Sequence, residues 1–220
     1  MENKKDNKDI GFLFDLDGVI IDSEKEYTRI WEAIDKAHPT GVENFAYVIK
    51  GQTLARILDP YFPDPDVQKD VVRMLNEMEQ RMRYEMLPGA LKTLEALQRD
   101  NLPRVLVTSS NNLKMKHLRE EQPALEGMFS DIVTADRISH SKPDPEGYLL
   151  GARLCGCKPE RCAVFEDSAQ GVEAGHRAGC FVVGLTTTLP AASLEPFADR
   201  IVSSLDDVDL SEIKKILENR

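Results

Sequence analysis

The chain is 220 residues long, 41% hydrophobic and 30% charged, and its formal net charge is −10. That length allows one large domain or a domain carrying a sizeable insertion, and the composition is ordinary for a globular protein in water. The acidic balance argues against nucleic acid or an anionic membrane surface as a main partner, and no stretch approaches the roughly eighteen consecutive apolar residues of a membrane span.

Residues 1–9 (MENKKDNKD) are polar and precede any apolar segment, so they do not resemble a signal peptide and are read as a mobile tail. The first apolar run, 10–14 (IGFLF), ends in Asp15 and Asp17. About seventy residues without a convincing strand follow, far more than a usual crossover. This stretch has helical patterning. Ser23 and Glu26 fit a capping box, and Tyr27, Ile30, Trp31 and Ile34 form a stripe. A second stripe, Val67, Val71, Met74, Met78 and Met82, reads as core packing. Residues 23–87 are therefore predicted to be a small all-helical cap, joined at two points to an α/β core made of 10–22 and 88–220.

After a Pro88-Gly89 breaker, Leu91, Leu94 and Leu97 recur on one predicted helix face. Further apolar runs stand at 104–108 (RVLVT), 131–135 (DIVTA), 162–166 (CAVFE), 180–185 (CFVVGL) and, more weakly, 200–204 (RIVSS). Continuous rather than alternating apolarity suits strands covered on both faces. Small residues at Gly171, Ala174, Gly175 and Ala178 allow a helix to lie close to the sheet, with Gly179 as its C-terminal stop. Strand and helix alternate, so the fold class is α/β, a doubly wound parallel sheet of Rossmann type with the helical cap inserted after the first strand. Cys155, Cys157, Cys162 and Cys180 form no CxxC pair or zinc-ligand rhythm, which suits reduced thiols and a cytoplasmic location.

Ligands of open α/β sheets bind beyond the carboxyl ends of the strands. The first strand ends there with Asp15 and Asp17, the second with Thr108, Ser109 and Ser110, and the fourth with Glu166 and Asp167, while Lys142 follows the third in SKPDP. Carboxylates, hydroxyls and a lysine on one rim suit phosphoryl transfer. Asp15, Asp17, Glu166 and Asp167 are predicted to share a hard divalent cation, and an all-oxygen site that retains waters suits Mg²⁺. Metal and Lys142 would let an acidic protein bind an anion, with Thr108 and backbone N–H groups near Ser109 completing the phosphate contacts. Residues i and i+2 of extended chain point the same way about 7 Å apart, enough for Asp15 and Asp17 to flank a reacting group. Asp15 is then the candidate nucleophile and Asp17 the candidate acid–base.

DLDGVIIDS, VTSS, KPDP and FEDS, in that order, resemble the four motifs of the haloacid dehalogenase superfamily, in its β-phosphoglucomutase-like branch. The resemblance covers nearly all of 10–204 except the insert, where KGQT alone is suggestive. It implies Asp15 as nucleophile, Asp17 as acid–base, Thr108 and Lys142 as phosphate contacts, and Glu166 and Asp167 as metal carboxylates. It also implies that Asp17 gives its backbone carbonyl to the metal. Carbon–halogen cleavage is not expected, because the dehalogenases proper lack an aspartate at the Asp17 position. The mutases of the branch carry a histidine where Tyr27 stands and an arginine where Leu54 stands, with Arg56 displaced by two residues. A Mg²⁺-dependent phosphatase of a small phosphorylated metabolite, a sugar phosphate in the first place, is the resulting expectation. The alternatives are a sugar-phosphate mutase and, in another class, a phosphoacceptor signalling module or an inactive binding protein. Lys50, Arg56, Arg81 and Arg83 are insert residues that could reach a substrate or lie on solvated faces, and His38, His117, His140 and His176 show no ligand spacing.

Overall fold

The computed structural model describes residues 9–220, so the predicted tail lies outside the described residues except for Asp9. The apolar runs form β1 (Gly11–Phe14), β2 (Arg104–Val107), β3 (Asp131–Val133), β4 (Cys162–Glu166), β5 (Phe181–Leu185) and β6 (Arg200–Val202). They make one sheet in the order β3-β2-β1-β4-β5-β6, with every neighbouring pair parallel. The winding reverses at β1 and β4, which opens a crevice beyond their carboxyl ends.

Between β1 and β2 the chain forms α1 (Glu24–Ala37), α2 (Phe45–Val48), α3 (Leu54–Tyr61) and α4 (Pro65–Glu79). α1 buries Ile30, Trp31 and Ile34, and α4 buries Val71 and Leu75 with Val67, Met74 and Met78 partly covered. Edge-on aromatic contacts join α2 to α1 and to the end of α3, with Phe45 centred 6.0 Å from Trp31, 5.0 Å from Tyr61 and 5.8 Å from Phe62. The predicted capping box is absent. Ser23 makes no side-chain cap, because its backbone is helical (φ −109°, ψ −12°) rather than extended as an N-cap usually is, and its hydroxyl donates to Asp17. Glu26 pairs with Arg29. The chain entering this stretch and the chain leaving it pair with each other, Asp22 N–H to Glu85 O at 2.8 Å and Leu87 N–H to Ile20 O at 2.9 Å.

The remaining helices are α5 (Ala90–Arg99), α6 (Asn112–Glu121), α7 (Glu146–Cys155), α8 (Ala169–Arg177), α9 (Ala191–Leu194) and α10 (Leu210–Glu218). Strand residues alternate between two apolar layers. Phe12, Phe14, Leu106, Phe165 and Val183 join Leu94, Leu97, Met115, Leu118, Ile213 and Leu217 on one face, in a cluster continuous with the insert. Leu13, Val105, Val107, Val164 and Val182 join Tyr148, Ala152, Val172 and Ala174 on the other. Both faces are covered, which explains the continuous apolar runs. Phe14 stacks on Phe165 at 4.5 Å, a contact typically worth about 0.5–1.5 kcal/mol beyond its buried area. One predicted core position is wrong. Leu91 is 47% exposed, because α5 turns Ala90, Thr93, Leu94 and Leu97 inward and Leu91 falls beside that stripe.

Candidate active site

The candidate residues stand at the strand ends. Asp15 follows β1, Thr108 follows β2, and Glu166 closes β4 with Asp167 next to it. Lys142 comes from the loop before α7, and its Nζ lies 2.6 Å from Asp15 Oδ1, 2.5 Å from Glu166 Oε1 and 3.3 Å from the Val107 carbonyl. The Tyr148 hydroxyl, from the first turn of α7, donates to Glu166 Oε1 at 2.8 Å, and its ring lies 5.1 Å from the Lys142 ammonium. Glu166 Oε2 accepts from the backbone N–H groups of Asp167 and Ser168 and from the Ser168 hydroxyl at 3.0–3.1 Å. Ser168 also caps α8 through Gly171 N–H. All of these side chains are buried.

Burial dominates the electrostatics. It pushes the Asp15 carboxyl up to about 8, with Lys142 opposing and Glu166 and Asp17 adding to the rise. Burial acts on Glu166 too, but Lys142, Tyr148 and the Ser168 N–H together hold its carboxyl below the usual carboxylate range. Burial would lower the Lys142 ammonium, yet Asp15 and Glu166 outweigh it and raise it.

Oxygens of Asp15, Glu166 and Asp167 lie within 4.8 Å of one another. Asp167 Oδ2 is buried and accepts no hydrogen bond, and burial, Glu24, Glu166 and Asp15 drive its carboxyl well up. Three buried carboxylates, one of them with an oxygen that accepts no hydrogen bond, fit a hard divalent cation, which would supply the missing positive charge. Gly18 closes the wall. Its φ is +73°, and a Cβ there would stand 1.9 Å from Asp167 Oδ2.

The Asp17 carboxylate, also expected to share the metal, lies outside that group of three. Lys114 Nζ donates to both of its oxygens at 2.6 Å, Ser110 Oγ donates at 3.2 Å, and Ser23 donates as well. Lys114, 4% exposed, lies 4.2 Å from the Tyr27 ring centre, and Tyr27 donates its hydroxyl to buried Glu79 at 2.6 Å. Sequence reasoning missed Lys114, Tyr148, Glu79 and the role of Ser23. Lys114 carried a usable signal. A lysine in the first turn of a helix opposes the helix dipole, so its presence beside a strand-end motif points to a carboxylate partner.

Thr108 is buried, and its Oγ1 accepts from the Ser110 N–H at 3.0 Å. Ser109 faces the insert rather than the carboxylates, donating to the Gly51 carbonyl at 2.9 Å. The KGQT segment thus lies against the rim and covers a cavity of about 470 Å³ that runs from Asp15 and Asp17 to apolar Trp31, Ile57 and Leu75. Lys50 lines this cavity in an ion pair with Glu24, whereas Arg56, Arg81 and Arg83 are exposed. None of the four histidines lines it. Among the described residues no helix is long and apolar enough to cross a membrane.

The chain is 31% identical over 208 residues to hexitol phosphatase A of Escherichia coli, covering 92% of this chain and 94% of that one. It is 32% identical to validoxylamine A 7'-phosphate phosphatase of Streptomyces hygroscopicus over 206 residues, 89% and 94% of the two chains. The crystal structure of β-phosphoglucomutase from Clostridium difficile shares the fold, with a TM-score of 0.80 at 21% identity, over 96% of this chain and 98% of that one. Residues 11–179 match the haloacid dehalogenase-like hydrolases, and the chain belongs to that family.

Proposed function

We propose that the protein is a Mg²⁺-dependent phosphatase of a small phosphorylated metabolite, a sugar phosphate in the first place, working through an aspartyl-phosphate. One observation carries this reading: Asp15, at the floor of a covered cavity, is held by Lys142 beside Glu166 and the orphaned oxygen of Asp167. The relatives named as phosphatases support the reaction class. Asp15, Glu166 and Asp167, with the Asp17 carbonyl, would hold the cation. When bound, it neutralises phosphate oxygens and relieves the repulsion among the carboxylates.

The chain's own groups do the rest. Lys142 and Thr108 bind the phosphoryl oxygens. Asp15 attacks phosphorus, the ester P–O bond breaks, and Asp17 gives a proton to the leaving oxygen. Asp17 then takes a proton from a water that attacks the aspartyl-phosphate, which releases inorganic phosphate and restores Asp15. Acid–base help of this kind contributes about 10²- to 10⁴-fold, so positioning and charge stabilisation supply most of the acceleration. Residues 23–87 act as a cap over the core of 10–22 and 88–220, and its closure excludes bulk water.

The test is phosphate release from a panel of metabolite esters with Mg²⁺. Turnover that is lost with EDTA and in Asp15→Asn is the expected result. Wild-type turnover in Asp15→Asn, or isomerisation of a sugar phosphate without net phosphate release, overturns the assignment.

A further inference from the structure

Beyond the phosphate end, the cavity wall carries the carboxylates of Asp17, Glu24, Glu79 and Asp136 against only two ammonium groups, Lys50 and Lys114. Both ammonium groups are already matched. Lys114 is held by the two oxygens of Asp17 at 2.6 Å, and Lys50 by Glu24. Glu79 accepts the Tyr27 hydroxyl and also feels the Lys114 ammonium, and Asp136, which is exposed, accepts the Asn112 N–H at 2.7 Å. Negative charge is therefore in surplus where the leaving alcohol would sit, and no unmatched cation among the described residues lines the cavity. A second phosphate or a carboxylate on the substrate would be buried there without a partner, which is costly. An uncharged hydroxyl would meet acceptors, and an ammonium group would meet a favourable field.

We propose that this cavity selects phosphomonoesters whose alcohol is uncharged or cationic, and rejects those bearing a second anionic group, with Glu79 as a residue that sets the preference. The proposal rests on the phosphatase reading and names the substrate class of the same site. It also separates this chain from any enzyme that must hold a bisphosphate.

The experiment compares kcat/KM for glucose, glucosamine and gluconate esters phosphorylated on the same primary hydroxyl, together with a hexose bisphosphate, at saturating Mg²⁺. Like charges a few ångströms apart in a partly buried site lower affinity by at least about tenfold. The gluconate ester and the bisphosphate are thus expected at least about tenfold below the glucose ester, with the glucosamine ester equal to it or better. Glu79→Gln keeps the acceptor for Tyr27 and removes the charge. It is expected to shrink the glucose-to-gluconate ratio at least about threefold, through KM rather than kcat. Equal or better turnover of the gluconate ester or the bisphosphate by the wild type overturns the proposal, as does an unchanged ratio in a folded Glu79→Gln. If no ester of the series or of a wider panel releases phosphate, the phosphatase reading fails instead. The same order of affinities is then read by calorimetric titration of the esters into Asp15→Asn, where tight binding of the doubly anionic esters overturns the charge preference on its own.

Discussion

Replacing Lys142 by methionine isolates what one buried ammonium contributes. Methionine matches the apolar stem of the side chain and lacks only the terminal ammonium, so little cavity energy is added. Lost are contacts at 2.6 Å to Asp15 and 2.5 Å to Glu166, both carboxylates being buried. Removing one partner of a buried ion pair typically costs about 3–5 kcal/mol, because the remaining charge is left uncompensated. With a urea slope of about 2 kcal/mol per molar, the unfolding midpoint of the metal-free protein should fall by about 1.5–2.5 M. The assay is urea denaturation followed by circular dichroism, with and without Mg²⁺. A cation entering the same carboxylates offsets part of the lost charge, so Mg²⁺ should raise the midpoint of Lys142→Met more than that of the wild type. A midpoint shift below about 0.5 M, or equal Mg²⁺ responses in the two proteins, would refute the idea that Lys142 and the cation compensate the same negative charge.

Gly171→Ala would put a Cβ 1.9 Å from the Glu166 carboxyl, so Glu166 must move off Lys142. Mg²⁺-dependent stabilisation and phosphate release should both fall at least about tenfold, and a wild-type Mg²⁺ titration contradicts this. Lys114→Met leaves Asp17 without its ammonium and should lower kcat about 10- to 100-fold at little-changed KM. In an Asp17→Asn background the same substitution should do almost nothing further, and additive losses would disprove the coupling. Burial, opposed by Lys114, raises the Glu79 carboxyl above its ordinary value. The folded protein therefore holds that proton more tightly than the unfolded chain, and the stability this confers is full below the unfolded value and lost as pH rises through the folded one. Glu79→Gln should thus gain stability relative to the wild type as pH rises above the ordinary glutamate value of about 4.3. A stability difference that is flat with pH refutes it.

The sheet was readable because burial on both faces leaves no alternation to confuse the pattern, and IGFLF, RVLVT and CAVFE each became a central strand. The site was readable for a related reason. Asp15, Glu166 and Asp167 sit at strand ends, where parallel topology alone decides which residues meet. Lys114 and Tyr148 come from helices, and whether they reach the carboxylates depends on helix rotation and side-chain reach that spacing does not give. Ser23 fitted a capping pattern, but its hydroxyl donates instead to a carboxylate six residues earlier in the chain. Leu91 failed because three leucines spaced by threes drift off a helical stripe, and Thr93 took the inward place. The commitment of the Asp17 carboxylate to α6 was invisible for the same reason, since only tertiary packing brings Lys114 there.

The entry and exit of the helical excursion meet at one spot, Asp22 beside Glu85 and Ile20 beside Leu87. For a flexible loop, closing a longer detour costs little, about 0.6 kcal/mol for each doubling of length. A helical segment of different size, spliced between residues 22 and 85, would thus leave the parallel pairing of the sheet intact, provided that it keeps a donor to Asp17 in place of Ser23 and covers the sheet face that the insert now packs against. If the excursion selects the substrate as proposed, a graft at that junction that keeps Ser23 would change which ester is taken while leaving the strand-end carboxylates in place.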